Sequence, residues 1–318
     1  MPRQRTPDLR PPEGMATPAI TEELCLMGPR HLDELLDQVA SYGVACQVPS
    51  RAEVTALWRQ GAGEYERLAQ SEAGAADMPA IKPLPKSMAR HIERLVEQEG
   101  VRRTFDTVPV AFGLVELDTL VISQYSMTQA VVDRIVSAHP LPLSPAKLVE
   151  LCLPQKPIAA DFRLAGQTDR EFTFVSDAHD MRFLDAQVLN PVQVQQAPVM
   201  GHPGAVLALS VGFSSNLLNA VRYNGRLALN NGHHRAHALK AMGFTHVPCL
   251  IQPCASISDL EQAATREICA NADLYFDAPR PPLLRDFANP LLTHAFKAPR
   301  MRRVLTLKLD VQRRLLAL

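Results

Sequence analysis

Asn231, Gly232, His233, His234 and Arg235 put an amide, a glycine, two imidazoles and a guanidinium on successive residues. That set suits an anion. It stands where a helix should begin, and there the first amides lack intrahelical acceptors and the dipole is positive. At about 100° per residue, Arg235 shares a stripe with Ala238, Leu239 and Met242, the face expected to pack inward. His234 borders that face, while His233, His237 and Lys240 share the opposite one. A guanidinium heading an apolar stripe is costly unless paired. A bound phosphate or carboxylate would pair it. So would an internal Asp or Glu, or Arg235 could reach solvent at the helix end. His233 and His237 also have the i, i+4 spacing of two metal ligands, which would suit a metal hydrolase. No glutamate lies between them, however, and the anion site competes for the same space.

Carboxylates gather in two other places. The segment SDAHDMRFLDA carries Asp177, His179, Asp180, Arg182 and Asp185. His179 and Asp180 could hold a metal or act as acid and base; a capped turn with surface charges is the alternative. Glu116 and Asp118 flank Leu117 on an expected strand, so both should point to one side. A solvated strand face accounts for them equally well.

The elements that must position these groups follow from local pattern. Asn224-Gly225 is the dipeptide that closes hairpins whose two turn residues both need positive φ. A strand over 226–230, a turn at Asn231-Gly232, a helix over 233–242 and a left-handed cap at Gly243 should follow. Residues 246–252 read as a buried strand. Upstream, 109–123 reads as strand, turn and strand, and 128–138 as a helix that the Pro-rich HPLPLSP ends. Residues 172–175 and 201–213 read as strands, the second buried. The N-terminal part should be helical over 29–42, 51–70 and 87–99, with Ser50 as an N-cap and Trp58 in the core. Residues 1–20 should be disordered. After Cys254 a helix is expected over 256–272, then a polyproline-like connector and a basic tail over 299–317.

The block NNGHHRAHALKAMGFTHVPCLI resembles the signature turn and helix of the ParB/sulfiredoxin superfamily, with its Gly-x-x-Arg core followed by a Val-Pro strand. The Gly-His-His-Arg form is that of ParB-like nuclease and free-serine-kinase members, and GLVELDTLVISQ resembles the family's earlier strand. The resemblance implies an α/β (α+β) mixed-sheet domain over 109–255, with an insertion at about 150–205. A helical region at 21–108 and a helical extension at 256–318 would flank it. It also implies an anion pocket at Asn231, Gly232, His233, His234 and Arg235 for a phosphate-bearing small molecule such as ATP or another nucleotide, with Mg²⁺. Kinase members use a glutamate near the first strand, a place Glu116 or Asp118 could take, and His234 and Asp180 are the other catalytic candidates.

Two departures bear on catalysis. Kinase-type members have an acid where this chain has Asn231, and an amide is no general base. The amide also removes a repulsion of roughly 4 kcal/mol, for charges about 4 Å apart at an effective dielectric of about 20. Sulfiredoxin chemistry needs a cysteine where this chain has His233. Phosphoryl transfer would therefore need a carboxylate from Glu116, Asp118 or the Asp177–Asp185 cluster. The alternative is a nucleotide-sensing or DNA-associated regulatory module without catalysis.

Composition bounds the partners. Lys+Arg 33 balances Asp+Glu 33 across 318 residues, and aromatics are 5%. No global field draws nucleic acid, and base-stacking platforms are few. With no helix-turn-helix signature, no sequence-specific DNA binding is expected. No apolar run spans a bilayer, and MPRQRTPDLRPPEG lacks a signal peptide's apolar core. The 6 cysteines are scattered without a CxxC pair, as thiols of a reducing cytoplasm would be.

Overall fold

The computed structural model describes residues 19–43, 46–156, 162–178, 181–190, 204–213 and 216–316, and the chain is a mixed α/β protein. It opens with β1 (Ile20–Leu26), α1 (Leu32–Tyr42), α2 (Arg51–Ser71), α3 (Lys86–Val96) and α4 (Glu99–Thr104). Next come β2 (Ala111–Glu116), β3 (Val121–Ile122), β4 (Ser126–Thr128), α5 (Gln129–Ala138) and α6 (Pro145–Cys152). Strands β5 (Phe162–Gln167), β6 (Glu171–Ser176), β7 (Met181–Leu189) and β8 (Val206–Phe213) precede β9 (Asn219–Tyr223) and β10 (Arg226–Asn231). Helix α7 (His233–Ala241), β11 (His246–Pro253), α8 (Ile257–Ala263), α9 (Arg266–Ala270), β12 (Thr293–Pro299) and β13 (Arg303–Lys308) complete it.

The central sheet has the order β2-β11-β9-β10-β3, all drawn from residues 111–253. Its hairpin closes as the dipeptide dictates: Asn224 has φ 46° and Gly225 φ 78°. β9 then pairs antiparallel with β10, β11 lies parallel to β9, and β3 lies parallel to β10. Alternation divides the sheet's side chains between two cores. Leu227 and Leu229 enter the larger, with Ala236 and Leu239 of α7; Ala228 and Val221 enter the smaller, with Tyr275 and Leu260.

The helices before the sheet form where their periodicity places them. Ser50 caps α2 with a full capping box, accepting the Glu53 amide while Glu53 accepts the Ser50 amide. Such a box is worth about 1 kcal/mol. Trp58 packs on a third core beside Leu35 and Val39 and donates its indole N–H to the Arg30 carbonyl at 2.9 Å.

Several expectations need correction. Of the tail expected over 1–20, all but Ala19 and Ile20 lies outside the described residues, and Ile20 opens β1. The C-terminal extension is not helical throughout. Its helix breaks at Ala264-Thr265 into α8 and α9, and β12 then pairs along the whole of β1, from Ile20 with Pro299 to Leu26 with Thr293. The basic stretch contributes β13, an edge strand on β6. At SDAHDMRFLDA, Ser176 caps a bend at 177–178 as the turn reading has it, but the segment runs on as strand β7 from Met181, and β8, expected to be buried, is largely half-exposed. No helix among the described residues is long and apolar enough to cross a membrane.

The connector from Ala278 holds the most buried ion pair among the described residues. Arg280 is 2% exposed and Asp286 3%. The guanidinium grips both Asp286 oxygens, at 2.9 and 2.5 Å, and donates Nε to Glu72 at the end of α2 at 2.9 Å. Its charge also lies 5.7 Å from the centre of the Tyr65 ring, within cation–π range. This clasp lays residues 284–288 over the core, and Phe287 meets the ring of His237 edge-on at 5.3 Å.

Candidate functional site

Gly232 starts α7 because only a residue tolerant of φ 95° can turn the chain out of β10 there. A side chain would also be crowded, since a Cβ at Gly232 would sit 3.2 Å from the Cα of Leu218. The helix then runs beneath residues 284–288 and against α5, so it is enclosed on more than one side. His233, Arg235, Ala236, Ala238 and Leu239 are all buried. His233 therefore does not lie on an outer face with Lys240, as a single inward stripe would place it.

Arg235 is spent on the protein itself. Its Nη1 donates to the Cys152 carbonyl at 3.0 Å and to the Asn216 carbonyl at 2.7 Å, and its Nη2 donates to Asn216 Oδ1. Cys152 is the last residue of α6, so the cation sits where that helix dipole is negative. Among the described residues these partners are carbonyl oxygens, and the guanidinium is turned into the protein rather than to solvent. Arg235 locks α6, the strand-leading segment at 216–218 and α7 together.

His234 joins two helix starts. Its Nε2 accepts the Thr128 amide at 3.1 Å, and Thr128 is the N-cap of α5. A neutral imidazole has one lone pair, so this bond places its proton on Nδ1 and occupies the base a catalytic His234 would need. Neither α5 nor α7 has a side-chain cap bond at its first turn, and neither carries an acid there. The N-termini of two helices, nine and ten residues long, thus meet with their positive dipole ends unmatched by any carboxylate of their own.

His233 is the polar group left over at this junction. It is 8% exposed, and its Nε2 is buried with no partner among the described residues. Burial, with a smaller push from His234, lowers its pKa to about 3, so the ring is neutral at physiological pH. His237 Nδ1 is likewise buried without a partner, and burial lowers the pKa of that ring too, helped by the nearby Lys240 charge. No group of three or more metal-ligating side chains assembles among the described residues.

The expected carboxylates lie elsewhere. Asp118 sits in a 3-10 turn rather than on a strand with Glu116, and it pairs with Lys240 in the last turn of α7. Seven residues separate Lys240 from His233, about 10 Å of helix rise. Glu116 ends β2 opposite His246, again near the far end of α7. Asp177 is held by Arg300 at 2.8 Å and Arg302 at 2.8 Å. Asp180 and His179 fall outside the described residues. Asn231, the last residue of β10, pairs in register with Asn219.

Two shallow hollows lie apart from α7. One, of about 380 Å³, is bounded by β1, Lys297 and the first turn of α5, but Glu22 and Asp133 there oppose an anion. The other, of about 420 Å³, lies between α2 and His294.

The helix start at Thr128 is where the sequence puts it; what sequence reasoning missed is its meeting with His234. Nothing in the sequence of Thr128-Gln129 names His234 as a partner, and only the fold brings the two together. Comparison of the chain with family models, curated proteins and solved structures finds no match.

Proposed function

We propose that this chain binds a phosphate-bearing small molecule where the N-termini of α5 and α7 meet, as a binding module built on a ParB/sulfiredoxin-like core. The observation that carries the reading is the junction itself: two helix starts without side-chain caps or first-turn acids, bridged by His234 and Thr128. The buried, unpartnered Nε2 of His233 supplies one polar group for a ligand. The family part rests on the Gly-His-His-Arg turn between β10 and α7 and on Val247-Pro248 in β11. Sequence-selective DNA contact forms no part of the reading, since charge is balanced over the chain.

A non-catalytic module fits better than a phosphotransferase. The lone pair of His234 is engaged, and Asp118 is paired about 10 Å of helix rise from His233. A base must come within hydrogen-bond reach of the reacting group, directly or through one water.

Gln129→Glu tests the site. It places a negative charge at the first residue of α5. Stability should hardly change, because an acid there favours the helix dipole while repelling Asp133 one turn on. Affinity for ATP, ADP or inorganic phosphate, measured calorimetrically with and without Mg²⁺, should fall about tenfold, the effect of about 1.4 kcal/mol. Unchanged affinity would place the ligand elsewhere.

A further inference from the structure

We infer that residues 303–316 dock the protein on an anionic lipid bilayer, with arginines at the headgroups and the aliphatic side chains between them in the hydrocarbon. Neutral over its length, the chain is unbalanced here. Over 300–316 it carries Arg300, Arg302, Arg303, Lys308, Arg313 and Arg314 against a single acid, Asp310. Part of that charge is answered within the fold. Asp177 holds Arg300 and Arg302, and Glu171 lies 3.4 Å from Lys308. Arg303, Arg313 and Arg314 are exposed and have no carboxylate partner among the described residues.

The apolar residues divide in the same way. In β13, Leu305 and Leu307 lie opposite Phe174 and Phe172 of β6 and are half-buried there. Val304 falls on the other face and is 50% exposed. Beyond the strand, Val311 is 57% exposed, Leu316 87% and Leu315 fully. Alongside, β13 packs against β7, whose ribbon leaves Val188 and Leu207 more than half exposed.

The mixture selects the occupant. Exposed aliphatics scattered singly are ordinary on a protein surface, but these are interleaved with unpaired arginines. A nucleic acid would answer the arginines, yet its bases stack on aromatic rings, and 300–316 contains none. An acidic protein surface would also answer the charge while leaving the aliphatics in water. A bilayer interface meets both demands, with anionic headgroups above hydrocarbon, and asks for no fixed spacing or groove. Arginine suits that boundary, because its stem follows the apolar side chains inward while the guanidinium stays among the phosphates. Each cation near such a surface raises binding about fivefold, so the contact is additive, reversible and sensitive to salt.

Vesicle flotation of the full chain reads this directly. The protein should float with vesicles holding about 30% phosphatidylserine and stay behind with phosphatidylcholine alone. Raising salt from about 0.1 to about 0.5 M should release most of it. The Arg313→Gln, Arg314→Gln variant should partition about 25-fold more weakly, from two lost charges. The Leu315→Ser, Leu316→Ser variant should lose at least about tenfold with its charge unchanged. Both variants should melt with the wild type, because all four side chains are exposed. Equal partition into the two kinds of vesicle, or an arginine variant that floats as the wild type does, overturns the proposal. So does a leucine variant that floats undiminished, or a wild type that binds a single-stranded oligonucleotide and no vesicle.

Discussion

Asp286→Ala should cost the fold about 3–5 kcal/mol, the usual penalty for leaving one partner of a buried ion pair uncompensated. The substitution strips Arg280 of two charge-assisted bonds and leaves the Leu283 amide without its acceptor at 2.9 Å. Glu72 remains, but it is shared with Arg285 and lies nearer solvent. Chemical denaturation checks the value. The double replacement Arg280→Met, Asp286→Leu should lose much less than Asp286→Ala, since it buries no lone charge. The consequence reaches the candidate site, because this clasp holds Phe287 against His237 on α7. An Asp286→Ala protein as stable as the wild type would show that the pair contributes nothing net.

The second large effect is a loss of stability in mild acid. Burial lowers the pKa of His233 to about 3 from 6.5. Below pH 6.5 the unfolded chain binds a proton that the folded chain refuses, so unfolding gains. The stability held by neutral His233 is therefore complete above pH 6.5 and falls as pH drops toward 3. The slope is at most about 1.4 kcal/mol per pH unit. Between pH 6.5 and 5 the loss from His233 should be about 2 kcal/mol. His237 and His294, whose pKa values are also lowered by burial, act in the same direction. This window lies above the carboxylates, so their protonation does not intrude. Urea melts at pH 6.5 and 5 should show a clearly smaller loss for His233→Phe than for the wild type. Equal losses in the two proteins would mean that His233 is charged, or solvated, in the folded state.

The elements set by neighbouring residues were legible in the sequence. Asn224-Gly225 closed its hairpin, Ser50 capped α2, and Gly232 and Gly243 bounded α7 with positive φ. What escaped was non-local. β1 finds its partner in β12, more than 260 residues later, and neither segment has a pattern that names the other. The orientation of His233 escaped for a related reason. A helical wheel assumes one buried stripe, but α7 is covered by the sheet on one side and by residues 284–288 and α5 on others. A solvated outer face for His233 therefore does not exist. Arg235 showed the same limit: its guanidinium was expected to face a ligand, and the fold turns it to the carbonyls of Cys152 and Asn216. Asp118 was placed on a strand by alternation, yet the chain turns into a 3-10 segment after Glu116 and delivers it to Lys240.

The central claim is that an anion is held where α5 and α7 begin. Backbone amide chemical shifts of the ¹⁵N-labelled protein, followed while inorganic phosphate and then ATP are added, test it most directly. The predicted result is a saturable shift of the amides at residues 128–130 and 232–235, with other amides moving little. Unmoved amides at both helix starts, or saturable shifts confined to Glu53, Ala56 and Leu57 beside the α2 hollow, would contradict it.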